Sequence, residues 1–176
     1  MADTRRDRAA ILALWADNAT QDISPQDGRD FIVTVMGGYA ELRVDDGVTA
    51  QTGITTPTIM TGWSTNGESN GLTADQANNK ITIDVAGLYM CWFQNSFSGG
   101  GNVTFEFNIN VDSGGGYVEQ AGGCHRKMSS GGDVGSASFV RLLSLSAGDD
   151  VAIFVEADSS ASMTPFDAQF IIKQVA

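Results

Sequence analysis

The chain of 176 residues carries 21 acidic and 10 basic side chains, which gives a formal net charge of −11. Hydrophobic residues make up 42% of it, enough to build the core of one domain of ordinary size. The acidic balance argues against nucleic acid or anionic lipid as a partner, because both require a basic surface. No apolar run approaches the roughly 18 residues of a membrane span, so no membrane partner is expected either.

The N-terminal residues predict a short first helix. Thr4 and Asp7 fit the first and last positions of a capping box, which satisfies the free amides at a helix start. Ile11, Leu12 and Trp15 follow at helical spacing. A helix of about 14 residues is too short to be stable alone in water, so its apolar stripe needs a partner. No small-residue cleavage pattern follows the apolar run, so a secretory signal is not expected.

A second helix of about 12 residues is predicted after Ser24, with Pro25 at its first position. Phe31 and Ile32 belong to its apolar stripe, and Gly37-Gly38 ends it. This helix is also too short to be stable in isolation. The two stripes could pack against each other, against a neighbouring chain or against a docking surface.

From residue 44 onward the sequence changes character. Residues 44–58 are rich in Thr, Gly and Asp, which predicts a linker. Beyond it, β-type runs alternate with turns of Gly, Asn and Ser, and residues 104–111 alternate strictly between apolar and polar. The predicted strands are Ile59–Trp63, Lys80–Val85, Leu88–Phe97, Val103–Val111, Gly116–Ala121, Ser136–Leu145, Asp150–Ala157 and Phe166–Val175. We therefore expect a mainly β protein, an antiparallel jelly-roll sandwich over residues 59–176, preceded by a helical anchor over residues 1–43.

Two segments of the β region resemble the C1q/tumour-necrosis-factor-like jelly roll. Residues 83–93, IDVAGLYMCWF, are similar to the strand, Gly, x, Tyr, strand segment of that family. Residues 139–153, FVRLLSLSAGDDVAI, are similar to its penultimate hairpin, and residues 170–172 fit a closing strand. The resemblance implies a compact homotrimer, and it makes Tyr89 and Phe154 candidates for the interface between subunits.

The N-terminal part is similar to the leader segments of tailed-bacteriophage structural proteins. The similarity lies in the arginine-rich first helix, in Asp17-Asn18, and in residues 22–30, DISPQDGRD, before a short apolar helix. It implies an anchor to the virion. An alternative for the arginines is a solvated face balanced by Asp3 and Asp7. The candidate anchoring residues are Arg5, Arg6, Arg8, Ile11, Leu12, Trp15, Phe31 and Ile32.

Catalytic chemistry has little support in the sequence. His125 is the single histidine, and its neighbour Cys124 would point to the opposite face of a strand, which disfavours a Cys–His dyad. One histidine and two cysteines cannot supply the four ligands of a structural zinc site within one chain. We therefore expect no enzyme, no cofactor and no metal site.

The cysteines and the paired carboxylates leave two questions open. Cys91 and Cys124 either remain free, as is usual in a reducing cytosol, or pair within or between chains. Asp45-Asp46 and Asp149-Asp150 lie near turns, where such residues usually shape the backbone. Calcium at these carboxylates is the alternative, although no calcium-binding loop pattern is present.

These features predict a structural virion protein, a trimeric capsid decoration or head-fibre protein on the capsid exterior. It would be made in the host bacterial cytoplasm and bind the major capsid protein or another virion protein. The alternative is a receptor- or glycan-binding tip of a short tail fibre, with a host-surface glycan as partner. Trp63 is the one loop-adjacent aromatic residue that supports this alternative.

Overall fold

A computed structural model describes residues 10, 13, 24–35, 37–129 and 133–175. In this part of the chain one continuous helix, α1 (Pro25–Val35), precedes twelve strands. The strands are β1 (Tyr39–Val44), β2 (Gln51–Ile54), β3 (Thr58–Ile59), β4 (Thr65–Asn66), β5 (Leu72–Asp75), β6 (Lys80–Ile83), β7 (Gly87–Gly99), β8 (Thr104–Asp112), β9 (Val118–Lys127), β10 (Val134–Leu145), β11 (Asp150–Ala157) and β12 (Ala161–Gln174).

The start of α1 follows the predicted capping pattern. The Asp27 carboxylate accepts hydrogen bonds from the Ser24 amide at 3.0 Å and from the Ser24 hydroxyl at 2.7 Å. In return, the Asp27 amide donates to the Ser24 Oγ at 3.2 Å. This reciprocal pair satisfies amides that the first turn of a helix leaves free.

Of the predicted first helix the structure describes only Ala10 and Ala13, and α1 is the one helix among the described elements, where two were expected. The rest of it lies outside the described residues. The candidate anchoring residues that fall there are Arg5, Arg6, Arg8, Ile11, Leu12 and Trp15.

The described strands form two six-stranded sheets with antiparallel pairing throughout. Sheet I has the order β10-β7-β12-β1-β4, and β2 also pairs with β12. Sheet II has the order β5-β6-β11-β8-β9, and β3 also pairs with β11. The predicted antiparallel sandwich is confirmed, and each of the eight predicted strands overlaps an observed one.

The core lies between the two sheets and is rich in phenylalanine. Phe93 and Phe97 project inward from β7 of sheet I, while Phe105 and Phe107 project inward from β8 of sheet II. The ring centroid of Phe97 lies 5.5 Å from that of Phe105 and 5.2 Å from that of Phe107, and both pairs pack edge to face. All four side chains are fully buried, so these rings join the sheets across the middle of the sandwich.

The boundaries predicted for the N-terminal segments do not match the sandwich. Strand β1, which the sequence analysis assigned to the helical anchor, lies inside sheet I between β12 and β4. The predicted linker over residues 44–58 contains β2, which pairs with β12. A six-residue strand gives a weak local signal, and its stability comes from neighbours that are more than 100 residues away in sequence. The sandwich therefore begins at Tyr39.

The chain that follows α1 and the end of the C-terminal strand meet at one end of the sandwich, which we call the N-terminal end. The Gly38 amide donates to Gln174 Oε1 at 3.3 Å, and the Gln174 amide donates to the Gly38 carbonyl at 2.7 Å. Sheet I therefore extends from this end to an opposite end, where β1 stops at Val44. Among the described residues, no helix is long and apolar enough to cross a membrane.

Candidate functional surface on sheet I

The outer face of sheet I, which points away from sheet II, carries two contrasting groups of side chains. Strand pairing fixes which residues are neighbours there. On β7 and β10 the even-numbered side chains point outward, and the odd-numbered ones mostly fill the core. Residues that are paired across neighbouring strands form a row. The rows nearer the N-terminal end are mainly apolar, and the rows nearer the opposite end are polar.

We call the first set the apolar half, comprising Met90, Trp92, Val140, Leu142 and Ile171. In the register, Trp92 lies between Val140 and Ile171, and Met90 is directly opposite Leu142. Val140 is 57% exposed, Leu142 60% and Trp92 40%. A contiguous apolar patch of this kind on a protein surface is typical of an interaction site.

The neighbouring rows form a groove of about 460 Å³, which we call the polar groove. Strand pairing aligns Arg43, Gln169, Gln94 and Ser138 in its first row. Its other polar lining residues are Asp45, Asn95, Ser96, Ser136 and Asp167.

A ladder of amides crosses the polar groove and ends on a carboxylate. Gln94 Nε2 donates to Gln169 Oε1 at 3.0 Å, and Gln169 Nε2 donates to Glu41 Oε1. Because a carboxylate oxygen of Glu41 accepts, the amide of Gln169 has one orientation, which in turn fixes that of Gln94. Beside the ladder, Arg43 forms an ion pair with Asp45 at 3.5 Å.

Comparison with solved structures identifies the architecture. The Eiger TNF of S. frugiperda matches with a TM-score of 0.64 and 13% identity, over 80% of this chain and 93% of that one. Murine APRIL matches at 0.57 and 18% identity, over 79% of this chain and 99% of that one. The globular domain of zebrafish complement 1qA also matches at 0.57, with 16% identity, over 79% of this chain and 98% of that one. The fold is a TNF/C1q-like jelly roll. No family model and no curated protein sequence matches the chain.

The two residues predicted for a subunit interface, Tyr89 and Phe154, lie outside the apolar half. Tyr89 is fully buried, and its hydroxyl donates a hydrogen bond to the Val85 carbonyl. Phe154 belongs to sheet II, where the ring of Tyr117 packs against it at a centroid distance of 5.1 Å. Tyr89 is therefore unavailable to a neighbouring chain, and Phe154 lies on the sheet opposite the apolar half.

Sequence reasoning missed Trp92, Val140 and Leu142 as surface residues. Residues 88–93 and 139–143 are mostly apolar at successive positions, which is typical of a strand covered on both faces. Sheet II covers one of those faces, and no described element covers the other. The lack of alternation between apolar and polar residues in these two segments indicated apolar side chains on both faces. It could not indicate which face points away from the core.

The predicted anchoring residues on α1 have different surroundings. Ile32 is 56% exposed, whereas Phe31 is half-buried. Ile32 is thus open to solvent, whereas Phe31 is only partly so. Trp63, the candidate aromatic for glycan binding, is buried, and its Nε1 donates to the Met60 carbonyl at 3.2 Å.

The thiols and the histidine do not form a catalytic group. Cys91 and Cys124 are free and lie on different sheets. Burial raises the pKa of Cys91 to about 12, and it also raises the pKa of Cys124. His125 is exposed, with its Nδ1 3.6 Å from Glu106 Oε2. Thiols held protonated by burial are poor nucleophiles.

The paired aspartates at the β10–β11 turn are used within the fold. Asp149 is buried and accepts hydrogen bonds from the Ser113 hydroxyl and the Ser146 amide, both at 2.7 Å. Asp150 forms an ion pair with Lys80 at 2.6 Å. Among the described residues, no group of three or more His, Cys, Asp or Glu side chains is arranged to hold a metal ion.

Proposed function

We propose that the protein is a homotrimeric jelly-roll head that acts by binding, and that it serves as a capsid decoration or head-fibre protein. The observation that carries the trimer is the exposed apolar half of sheet I. Its side chains lie in adjacent rows on one face of the sheet, so one approaching surface can cover them together. Each Å² of apolar surface removed from water contributes about 25 cal/mol, which favours covering the patch with further copies of the chain.

Charge supports the apolar half as the contact surface. The chain has a formal net charge of −11, so most surfaces of two copies repel each other at low ionic strength. The five residues of the apolar half are uncharged, and interface centres are depleted in charged residues. Glu41 is paired with Ile171, and Lys173 is paired with Met90, so these two charged residues would lie at the border of the contact.

The proposed attachment to the virion involves the residues before β1. The similarity to phage leader segments supports this role, as does the partly exposed Ile32 on α1. Helix α1 joins the jelly roll at the N-terminal end, so the opposite end would face away from the attachment site. Three chains would attach together, and the combined attachment would be tighter than one alone because of the high effective concentration.

Sedimentation equilibrium of the full chain tests the trimer. One chain has a mass of 18.5 kDa, and we expect about three times that mass at micromolar concentration. Leu142→Asp and Val140→Asp should lower the mass to that of a single chain. Val118→Asp is the matched control, because Val118 is 64% exposed on sheet II and should leave the mass unchanged. A wild-type mass of one or two chains would contradict the proposal.

Electron microscopy tests the virion assignment separately. Antibody against the jelly roll should label the capsid exterior of purified virions that contain the protein. Residues 37–176 added to particles stripped of the protein should fail to restore the label, whereas the full chain should restore it. Label on the tail alone, or decoration by residues 37–176, would contradict the proposed attachment.

A further inference from the structure

We propose that the outer face of sheet II binds a lysine or arginine side chain presented by a partner protein. This face points away from sheet I, so the trimer proposed above leaves it on the outside of the assembly. Such a site uses the surface of one chain and does not depend on the virion role. Three features of the face support it: an aromatic pair, buried amide oxygens that lack a donor, and carboxylates that face each other.

Tyr117 and Phe154 form the aromatic pair in the middle of this face. Their ring centroids are 5.1 Å apart, and both side chains are half-buried. Burial raises the pKa of Tyr117 to about 12, with contributions from the negative charges of Asp150 and Asp112, so the hydroxyl lies near these carboxylates. The tyrosine side chain therefore spans the row of Asn110, which is two residues before Asp112 on β8. An aromatic ring face attracts a cation that lies within about 6 Å.

Asn108 and Asn110 provide the buried amide oxygens. They alternate with the core residues Phe107 and Ile109 on β8, so their side chains point outward, yet they are only 7% and 5% exposed. Within the part of the chain that the structure describes, the Oδ1 of each accepts no hydrogen bond. Three glycines precede Tyr117, and a Cβ at any of them would meet nothing within 4 Å, so the ring can shift to admit a donor. An ammonium or guanidinium group would supply the missing N–H groups.

Carboxylates face each other across β8 and β11 on both sides of the aromatic pair. Glu156 is directly opposite Glu106, and Asp150 is directly opposite Asp112. Like charges at directly opposite positions destabilise a sheet, and a cation between them removes that cost. Lys80 supplies the cation for Asp150, with its Nζ 2.6 Å from Oδ2. Among the described residues Glu156 forms no ion pair, so its row is the one where a cation from a partner is stabilised.

One cationic side chain can contact all three features. Glu156 is two residues after Phe154 on the same face of β11, about 7 Å along the strand. Asn108 is directly opposite Phe154 on β8. A cation over the ring of Phe154 would thus lie between Glu156 and the amide of Asn108. His125 approaches Glu106 from β9, the side away from β11, with its Nδ1 3.6 Å from Oε2, and leaves Glu156 available.

Fluorescence anisotropy of two labelled peptides, measured with the full chain at physiological ionic strength, tests the site. One peptide alternates glycine with lysine and should bind, and the other alternates glycine with glutamate and should not. Glu156→Gln and Tyr117→Leu should each weaken the lysine peptide roughly fivefold, because the first removes a carboxylate and the second an aromatic face. Glu68→Gln is the matched control and should keep the wild-type affinity, since it removes the same charge from an exposed residue after β4 of sheet I.

Two results would overturn the site. The first is no binding of the lysine peptide. The second is an equal loss in Glu68→Gln and Glu156→Gln, which would show attraction to the net charge alone.

Sedimentation of the same variants separates this site from the trimer. Glu156→Gln and Tyr117→Leu should keep the wild-type mass, because they leave the apolar half intact. A lower mass in either variant would assign the face to contacts between copies of the chain and would also overturn the proposal. A wild-type chain that sediments as a monomer, yet binds the lysine peptide through Glu156, would support this site and contradict only the trimer.

Discussion

The hydroxyl of Tyr89 donates a hydrogen bond to the main-chain carbonyl of Val85, four residues earlier in the chain. The tyrosine side chain is fully buried in the core, and the carbonyl belongs to the bend that precedes β7. The bond thus connects the start of β7 to the bend that precedes it, on either side of Gly87. It accounts for the Gly-x-Tyr spacing in the segment that resembles the jelly-roll family.

Tyr89→Phe should lower the free energy of unfolding by about 1 kcal/mol, because the ring is kept while the Val85 carbonyl loses its donor. Urea denaturation followed by circular dichroism measures the change. Tyr39→Phe is the control, since Tyr39 is 39% exposed and should change little. Equal effects of the two substitutions would show that the buried bond contributes nothing specific.

Gly122→Ala should destabilise the jelly roll by about 1–3 kcal/mol, since Gly122 adopts a left-handed backbone conformation with φ of 101°. A Cβ there would also lie only 1.8 Å from Arg141 Nη1, so the arginine of β10 would have to move. The residue lies where the pairing of β8 and β9 shifts register.

The control for Gly122 is Gly115→Ala. A Cβ at Gly115 meets nothing within 4 Å, and its φ is not positive, so thermal unfolding should occur near the wild-type temperature. If Gly122→Ala unfolded at the same temperature as Gly115→Ala, the strained-backbone explanation would be refuted.

Removing residues 1–36 should leave a folded jelly roll, whereas removing residues 1–44 should abolish folding. The longer deletion takes away β1, whose six residues pair with β12 and whose side chains at Ala40, Leu42 and Val44 are buried. Their loss would leave β12 and β4 without the strand that lies between them. Soluble expression and cooperative urea unfolding distinguish the two shortened proteins. Cooperative unfolding after removal of residues 1–44 would mean that β1 is dispensable.

Acid should destabilise the protein partly through Asp112. Backbone hydrogen bonds from Gly116 and Gly114, at 2.9 and 2.7 Å, lower the pKa of Asp112 below its ordinary 3.8. A group whose pKa is lower in the folded state stabilises that state above pH 3.8, and this contribution is lost as the pH falls through the folded value.

Urea titrations at roughly pH 5 down to pH 2 measure this dependence, because that range brackets the ordinary aspartate pKa. Asp112→Asn should show a smaller loss of stability over that range than the wild type. Hydrogen bonds donated by Asn78, Ser129 and Thr104 likewise lower the pKa of Asp75, Asp133 and Asp158, so part of the dependence should remain in the variant. An unchanged acid profile in Asp112→Asn would remove this carboxylate from the explanation.

Local patterns were sufficient to predict much of the fold. The reciprocal bonds of Ser24 and Asp27 explain why the start of α1 could be placed correctly. The alternation of residues 104–111 likewise predicted β8, because the strand has one face in the core. Strand β1 was not predicted, since a short strand paired on both sides depends on distant partners rather than on its own composition.

The position of the candidate surface could not be predicted from local patterns, because it depends on how the two sheets pack. The period of two in residues 88–93 already separates Tyr89, Cys91 and Phe93 from Met90 and Trp92. Both sets are apolar, so the sequence alone does not choose which set faces the core. Packing against sheet II decides it, because only one face of a sheet can meet a second sheet. Tyr89 is consequently buried and Trp92 exposed, and the surface that we propose for assembly follows from that tertiary choice.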